Sequence, residues 1–120
     1  MQIWTERPAV GDVEEVVRRY FALFRAGNVA EAGRLVEHAS VPHVLKALWA
    51  GSVGAGVDGE VGDDLSWLRE LDLGAFAWGP TGSHCYVELT WGGRVIEVSL
   101  GFWVKPVDGG WVVAGPSTLW

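Results

Sequence analysis

The run S-H-C-Y-V-E-L-T-W at 83–91, the pair Gly92-Gly93, the run R-V-I-E-V-S-L-G-F-W-V at 94–104, the D-G-G at 108–110 and W-V-V-A-G at 111–115 decide how this chain folds. Apolar and polar residues alternate along them, and glycine pairs punctuate them. Three strands joined by tight turns are therefore expected. On the second strand of the sheet, His84–Trp91, Cys85, Val87, Leu89 and Trp91 share one face, and His84, Tyr86, Glu88 and Thr90 share the other. On the third, Arg94–Val104, Ile96, Val98, Leu100 and Phe102 oppose Val95, Glu97, Ser99 and Trp103. The first set meets the rest of the protein. The second is mixed polar and aromatic, and Tyr86, Thr90 and Trp103 suit either a solvated face or a homodimer contact.

Working back from the sheet, Ala75–Trp78 reads as a first strand and Pro80-Thr-Gly82 as its turn. The run S-W-L-R-E-L-D-L before it reads as a helix begun at Asp63 or Asp64, striped by Leu65, Leu68 and Leu71 and stopped by Gly74. Residues 51–62 hold five glycines in twelve positions. They lack the Gly-Lys-Ser/Thr end of a phosphate loop and read as a loop over one mouth of the fold. Upstream, Asp12 with Glu15 reads as a helix start. Val13, Val16, Val17, Tyr20 and Phe24 then recur at helical spacing, and Glu14, Arg18, Ala22 and Arg25 fall opposite. Gly27 closes that helix. Asn28 caps a second helix with Ala32, Leu35 and Val36 inward. Ser40 caps a short third helix containing Pro42, with Val44, Leu45, Leu48 and Trp49 as its apolar side; a strand at Val41–Val44 is the alternative. The chain thus reads as α+β, with N-terminal helices laid across a strongly curved antiparallel sheet. That arrangement forms a cone with an internal pocket.

Composition bounds the function. At 120 residues the chain forms a single domain, 1–120. Residues 1–57 balance six basic against six acidic side chains, so residues 58–120 carry the whole net charge of −6. No basic patch is available for a phosphate backbone, which excludes nucleic acid as a partner. No window reaches the roughly eighteen apolar residues of a membrane span. The opening M-Q-I-W-T-E-R-P has no basic region followed by an apolar run, so a cytoplasmic location is expected. Cys85 is the only cysteine. It lies on the apolar strand face, as an inert core thiol would. His38, His43 and His84 lack tight ligand spacing, and no second cysteine joins them, so no metal site is expected. No Gly-x-Ser-x-Gly nucleophile elbow occurs. Eight tryptophans are many for this length; they suit either an aromatic core or the wall of an apolar ligand site.

The run V-V-R-R-Y-F-A-L-F-R-A-G-N-V-A-E-A-G-R-L-V at 16–36, with the closing G-G-R-V-I-E-V-S-L-G-F-W-V and D-G-G-W-V-V, resembles the nuclear transport factor 2-like superfamily. That superfamily includes SnoaL-like cyclases and ketosteroid isomerases. The resemblance covers most of the chain outside residues 45–75 and implies a cone with a deep apolar pocket, often dimerised through its sheet. Its isomerases use a first-helix tyrosine and a carboxylic acid as oxyanion donors, with an aspartate as base. The tyrosine matches Tyr20. The base falls near His43 and Val44, where no carboxylate stands, and the second donor falls near Phe102, which cannot donate. Ketosteroid isomerase activity is therefore not implied.

Three functions follow as expectations. The first is a cofactor-free acid–base enzyme acting on a hydrophobic, oxygenated small molecule by isomerisation, cyclisation or hydration. In it Tyr20 donates a proton, His43 in the first turn of its helix accepts one, and Phe24, Trp49, Trp67, Trp78 and Phe102 shape the cavity. The second is a hydrophobic-ligand binder with the same cavity and no catalysis. The third is an interaction module that uses the sheet. Glu88 and Glu97 share the mixed strand face; they form an acid/base pair if that face is the pocket wall, or sit on the outer, solvated side of the sheet.

Overall fold

The computed structural model describes residues 2–37, 42–46, 48, 66–91 and 94–118. It is an α+β fold in which an N-terminal helix packs on a four-stranded antiparallel sheet. Helix α1 spans Val10–Arg25 and α2 spans Val29–Leu35; residues 42–46 are also helical. A short 3-10 helix, Ser66–Glu70, leads directly into β1 (Leu71–Trp78), followed by β2 (His84–Trp91), β3 (Arg94–Val107) and β4 (Gly110–Thr118). The sheet is a plain meander, β1-β2-β3-β4.

Helix α1 follows from its spacing. Val13, Val16, Val17, Tyr20 and Phe24 are buried as the period demands, and Phe21 joins them. Each such side chain contributes roughly 1.5–3 kcal/mol when fully removed from water. The start differs from the expected one. Ala9 is the N-cap, and Asp12 sits a turn inside, its carboxylate accepting the Ala9 N–H at 3.1 Å. Asp12 thus serves the free amide from within rather than capping from outside. The end is as read. Gly27 takes φ +83°, its N–H donates to Phe24 O, and the Asn28 N–H donates to Leu23 O. This paired closure requires the left-handed residue that glycine supplies. Asn28 begins α2 without a side-chain cap bond, and Ala32 and Val36 are buried beneath. At 42–46 the helix prevails over the alternative strand, with Val44 and Leu48 buried. Ser40, residues 51–62, Asp63, Asp64 and Leu65 lie outside the described residues.

The segment before the sheet corrects the sequence reading. The expected helix through Leu73 is a 3-10 turn that stops at Glu70, and Leu71 already pairs with Trp91 across β2. Register slips by one between Leu73 and Phe76, so Leu71 and Leu73, then Phe76 and Trp78, all turn toward the core side. This bulge inserts a spacing of three into a period-two strand, and that spacing imitates a helix. A Cβ at Gly74 would stand 3.2 Å from Glu88 O, so glycine fits where the bulged strand closes on its neighbour.

The core lies between α1 and one face of the sheet. Cys85, Val87, Leu89, Leu100, Phe102 and Val113 supply the sheet side. His84, Tyr86 and Glu88 are exposed on the other. β4 runs past the expected end at Ala114 to Thr118. Its free edge is partly covered: Trp4 exchanges both backbone hydrogen bonds with Trp111, and Glu37 bridges Ala114 in parallel. Lys105 Nζ fixes the second contact through Glu37 Oε1 at 2.6 Å. Arg7 holds the first, bonding Ser83 Oγ and standing 5.9 Å over the Trp111 ring. No helix among the described residues is long and apolar enough to cross a membrane.

Candidate functional site

Among the described core residues Tyr20 carries a buried hydroxyl, and its surroundings define the candidate site. Three aromatic rings meet it edge-on: Phe24 at 4.8 Å, Phe21 at 5.3 Å and Phe102 at 5.8 Å between centroids. Helix spacing places Phe21 and Phe24 beside it. β3 places Phe102, which pairs with Cys85 in the middle of the sheet. The phenol is 0% exposed, and among the described residues its hydroxyl has no hydrogen-bond partner. A buried hydroxyl left unpaired costs about 1–3 kcal/mol, and such groups are rare in folded proteins. Burial also pushes its ionisation well above the ordinary 10.0, so the group stays a neutral O–H. It can donate to a ligand oxygen but does not serve as a base.

The other expected site residues distribute unevenly. Phe24 and Phe102 join Tyr20. His43 is exposed on the helical stretch 42–46, one position from buried Val44, and the ring contacts around Tyr20 do not include it. Trp78 is half-buried at the edge of the core, and its Nε1–H donates to Glu14 Oε1 at 2.8 Å. That bond draws Glu14 inward from the solvent face that periodicity assigned it. Trp49 and the side chain of Trp67 lie outside the described residues. Neither of two concavities among the described residues, one along Arg18 and Asp72 and one along Gln2 and Arg19, is lined by Tyr20. No group of three His, Cys, Asp or Glu side chains gathers among those residues. The missed signal in the sequence is Phe21, which stands next to Tyr20 and completes the ring cluster.

Cys85 borders this cluster through its pairing with Phe102. Desolvation, then the nearby Glu14 carboxylate, push its thiol from 9.0 to about 12, against a smaller opposing effect of a backbone hydrogen bond with Phe102. Native Cys85 is therefore expected to resist a disulfide reagent at pH 8 and to react fully in denaturant. Its folded value lies above its unfolded one. The associated stability is whole below about pH 9 and is lost as pH rises toward 12, and Tyr20 acts in the same direction. A denaturation midpoint that holds constant across that range would contradict both shifts.

Comparison with family models, with curated proteins and with solved structures returns no match to this chain.

Proposed function

We propose that the protein holds a hydrophobic, oxygenated small molecule between α1 and the sheet, with the Tyr20 hydroxyl donating to the ligand's oxygen. The observation that carries this reading is the buried hydroxyl with no partner among the described residues. The three rings that meet it are apolar, and so is the rest of the core cluster it belongs to, so a ligand oxygen would find the hydroxyl as a polar contact in an apolar wall. A hydroxyl that stays protonated is the right partner for a carbonyl, an ether or a developing oxyanion. The reading gives the fold the shape of a cone with an internal pocket. It is the SnoaL-like form of the nuclear transport factor 2-like resemblance carried by residues 16–36 and the closing strands.

Catalysis would be cofactor-free isomerisation, cyclisation or hydration, with Tyr20 as donor and His43 as base. The exposure of His43 makes the base the weaker half of the pair, and binding is the part that the geometry supports best. Tryptophan fluorescence during titration with hydrophobic ketones and lactones tests it. Saturable quenching is expected, weakened about tenfold in Tyr20→Phe, the worth of one hydrogen bond in an apolar site. No saturable change with any of these compounds would count against the reading. Equal affinity in both proteins would remove Tyr20 from it. For any ligand that proves to be turned over, unchanged rates in both Tyr20→Phe and His43→Ala would reject the enzymatic form.

A further inference from the structure

The outer stripe of α1 does not simply face solvent. Arg18, Ala22 and Arg25 lie at positions i, i+4 and i+7, and they form one wall of a groove of about 150 Å³ against the first strand. Phe21 and Leu71 supply a buried apolar floor, Leu73 is half-buried, and Asp72 completes the far rim. Ala22 is the reason the groove is open, because a longer side chain there would fill the space between the two arginines.

The charges in the groove are not balanced. Arg25 Nη1 stands 3.9 Å from Asp72 Oδ1, a loose pair in which both side chains are about half exposed or more. The same Asp72 oxygen already accepts the Leu73 N–H at 2.9 Å. Arg18 pairs with no carboxylate among the described residues. Its guanidinium instead lies 4.7 Å over the Phe76 ring, a contact that orients the group and leaves its N–H donors unspent. Two guanidiniums against one carboxylate make a positive spot on a chain whose net charge is −6.

We propose that this groove is a binding subsite for small amphiphilic carboxylates. The carboxylate lies between Arg18 and Arg25, and the hydrocarbon lies along Phe21, Leu71 and Leu73. Guanidinium and carboxylate match in shape and charge, and the apolar floor rewards a short alkyl or aryl tail. The site is independent of the buried hydroxyl. Phe21 touches both, lining the groove and meeting Tyr20 edge-on at 5.3 Å.

Octanoate is the probe, and 1-octanol is its uncharged counterpart. In a two-dimensional amide NMR titration, octanoate is expected to move the resonances of Ala22, Arg25, Leu71, Asp72 and Leu73. Its affinity is expected to fall about tenfold in Arg18→Gln/Arg25→Gln, while that of 1-octanol is unchanged. Ala22→Leu keeps both arginines and a good helix former, and it is expected to abolish the shifts. Tyr20→Phe is expected to leave them intact, which separates this site from the proposed ligand space. Octanoate shifts that map elsewhere, persist in Ala22→Leu, or are indifferent to the loss of both arginines would overturn the proposal, as would no shift at all.

Discussion

Gly115→Ala is expected to destabilise the fold by at least ~3 kcal/mol, seen as a fall of roughly 10 °C or more in the thermal midpoint. Gly115 adopts φ +121°, a backbone region that L side chains rarely enter. An added Cβ would meet Gly101 O at 2.7 Å, with Phe102 Cα and Cδ1 at 3.3 Å. Relaxation away from that contact is blocked from the other side. The Gly115 N–H donates to Glu37 O, and the Glu37 N–H donates to Val113 O. The residue sits where the register of β3 and β4 shifts between Gly101 and Trp103, so a backbone movement there would disturb the ladder on both sides. Circular dichroism melts of the variant against the parent check this. A loss below about 1 kcal/mol would mean that the β4 bulge can relax, contrary to the packing described.

Phe102→Ala is the second large effect, expected at about 3–5 kcal/mol. The ring is fully buried, and α1 closes over it with Tyr20 at 5.8 Å and Phe21 at 6.3 Å. Its removal leaves a void between helix and sheet, because Leu89, Leu100 and Cys85 are held by their strand positions and cannot fill it. Urea denaturation should show a lower midpoint with a similar slope, the signature of lost packing in an unchanged fold. A cost near that of a surface substitution would indicate that the ring is not part of a close-packed core.

These two residues also show how much of the fold was legible in the chain. Phe102 was readable because alternation along β3 assigns it to the face that meets the helices. The stripe of α1 and the span of β2 were readable for the same reason: periodicity and local turn chemistry determine them. Gly115 was not. A Gly-Pro pair reads as the end of a strand, and only the neighbouring Gly101 carbonyl and the Glu37 bridge make it part of β4. The slip at Gly74 hid the start of β1 in the same way, since a bulge converts alternation into a spacing of three. Trp4 and Glu37 cover the β4 edge through pairing over long sequence separations, which no local pattern encodes.

The candidate site divides along the same line. The inward direction of Tyr20 follows from the helix stripe, and its partners Phe24 and Phe102 follow from period and alternation. The exposure of His43 follows from where the helical stretch 42–46 points Val44, which the sequence alone does not orient against the sheet. The bond from Trp78 to Glu14 depends on how α1 lies over β1, a tertiary fact. That the phenol has no partner among the described residues is also a tertiary fact, and the proposed function rests on it.

Urea denaturation of Tyr20→Phe against the parent, with nothing bound, probes that hydroxyl most directly. If the oxygen is kept for a guest, its deletion removes an uncompensated desolvation, and the variant unfolds at the same or a higher urea concentration, with up to about 1 kcal/mol gained. A loss of more than about 1 kcal/mol would mean that the oxygen is already bonded inside the folded chain and that its role is architectural.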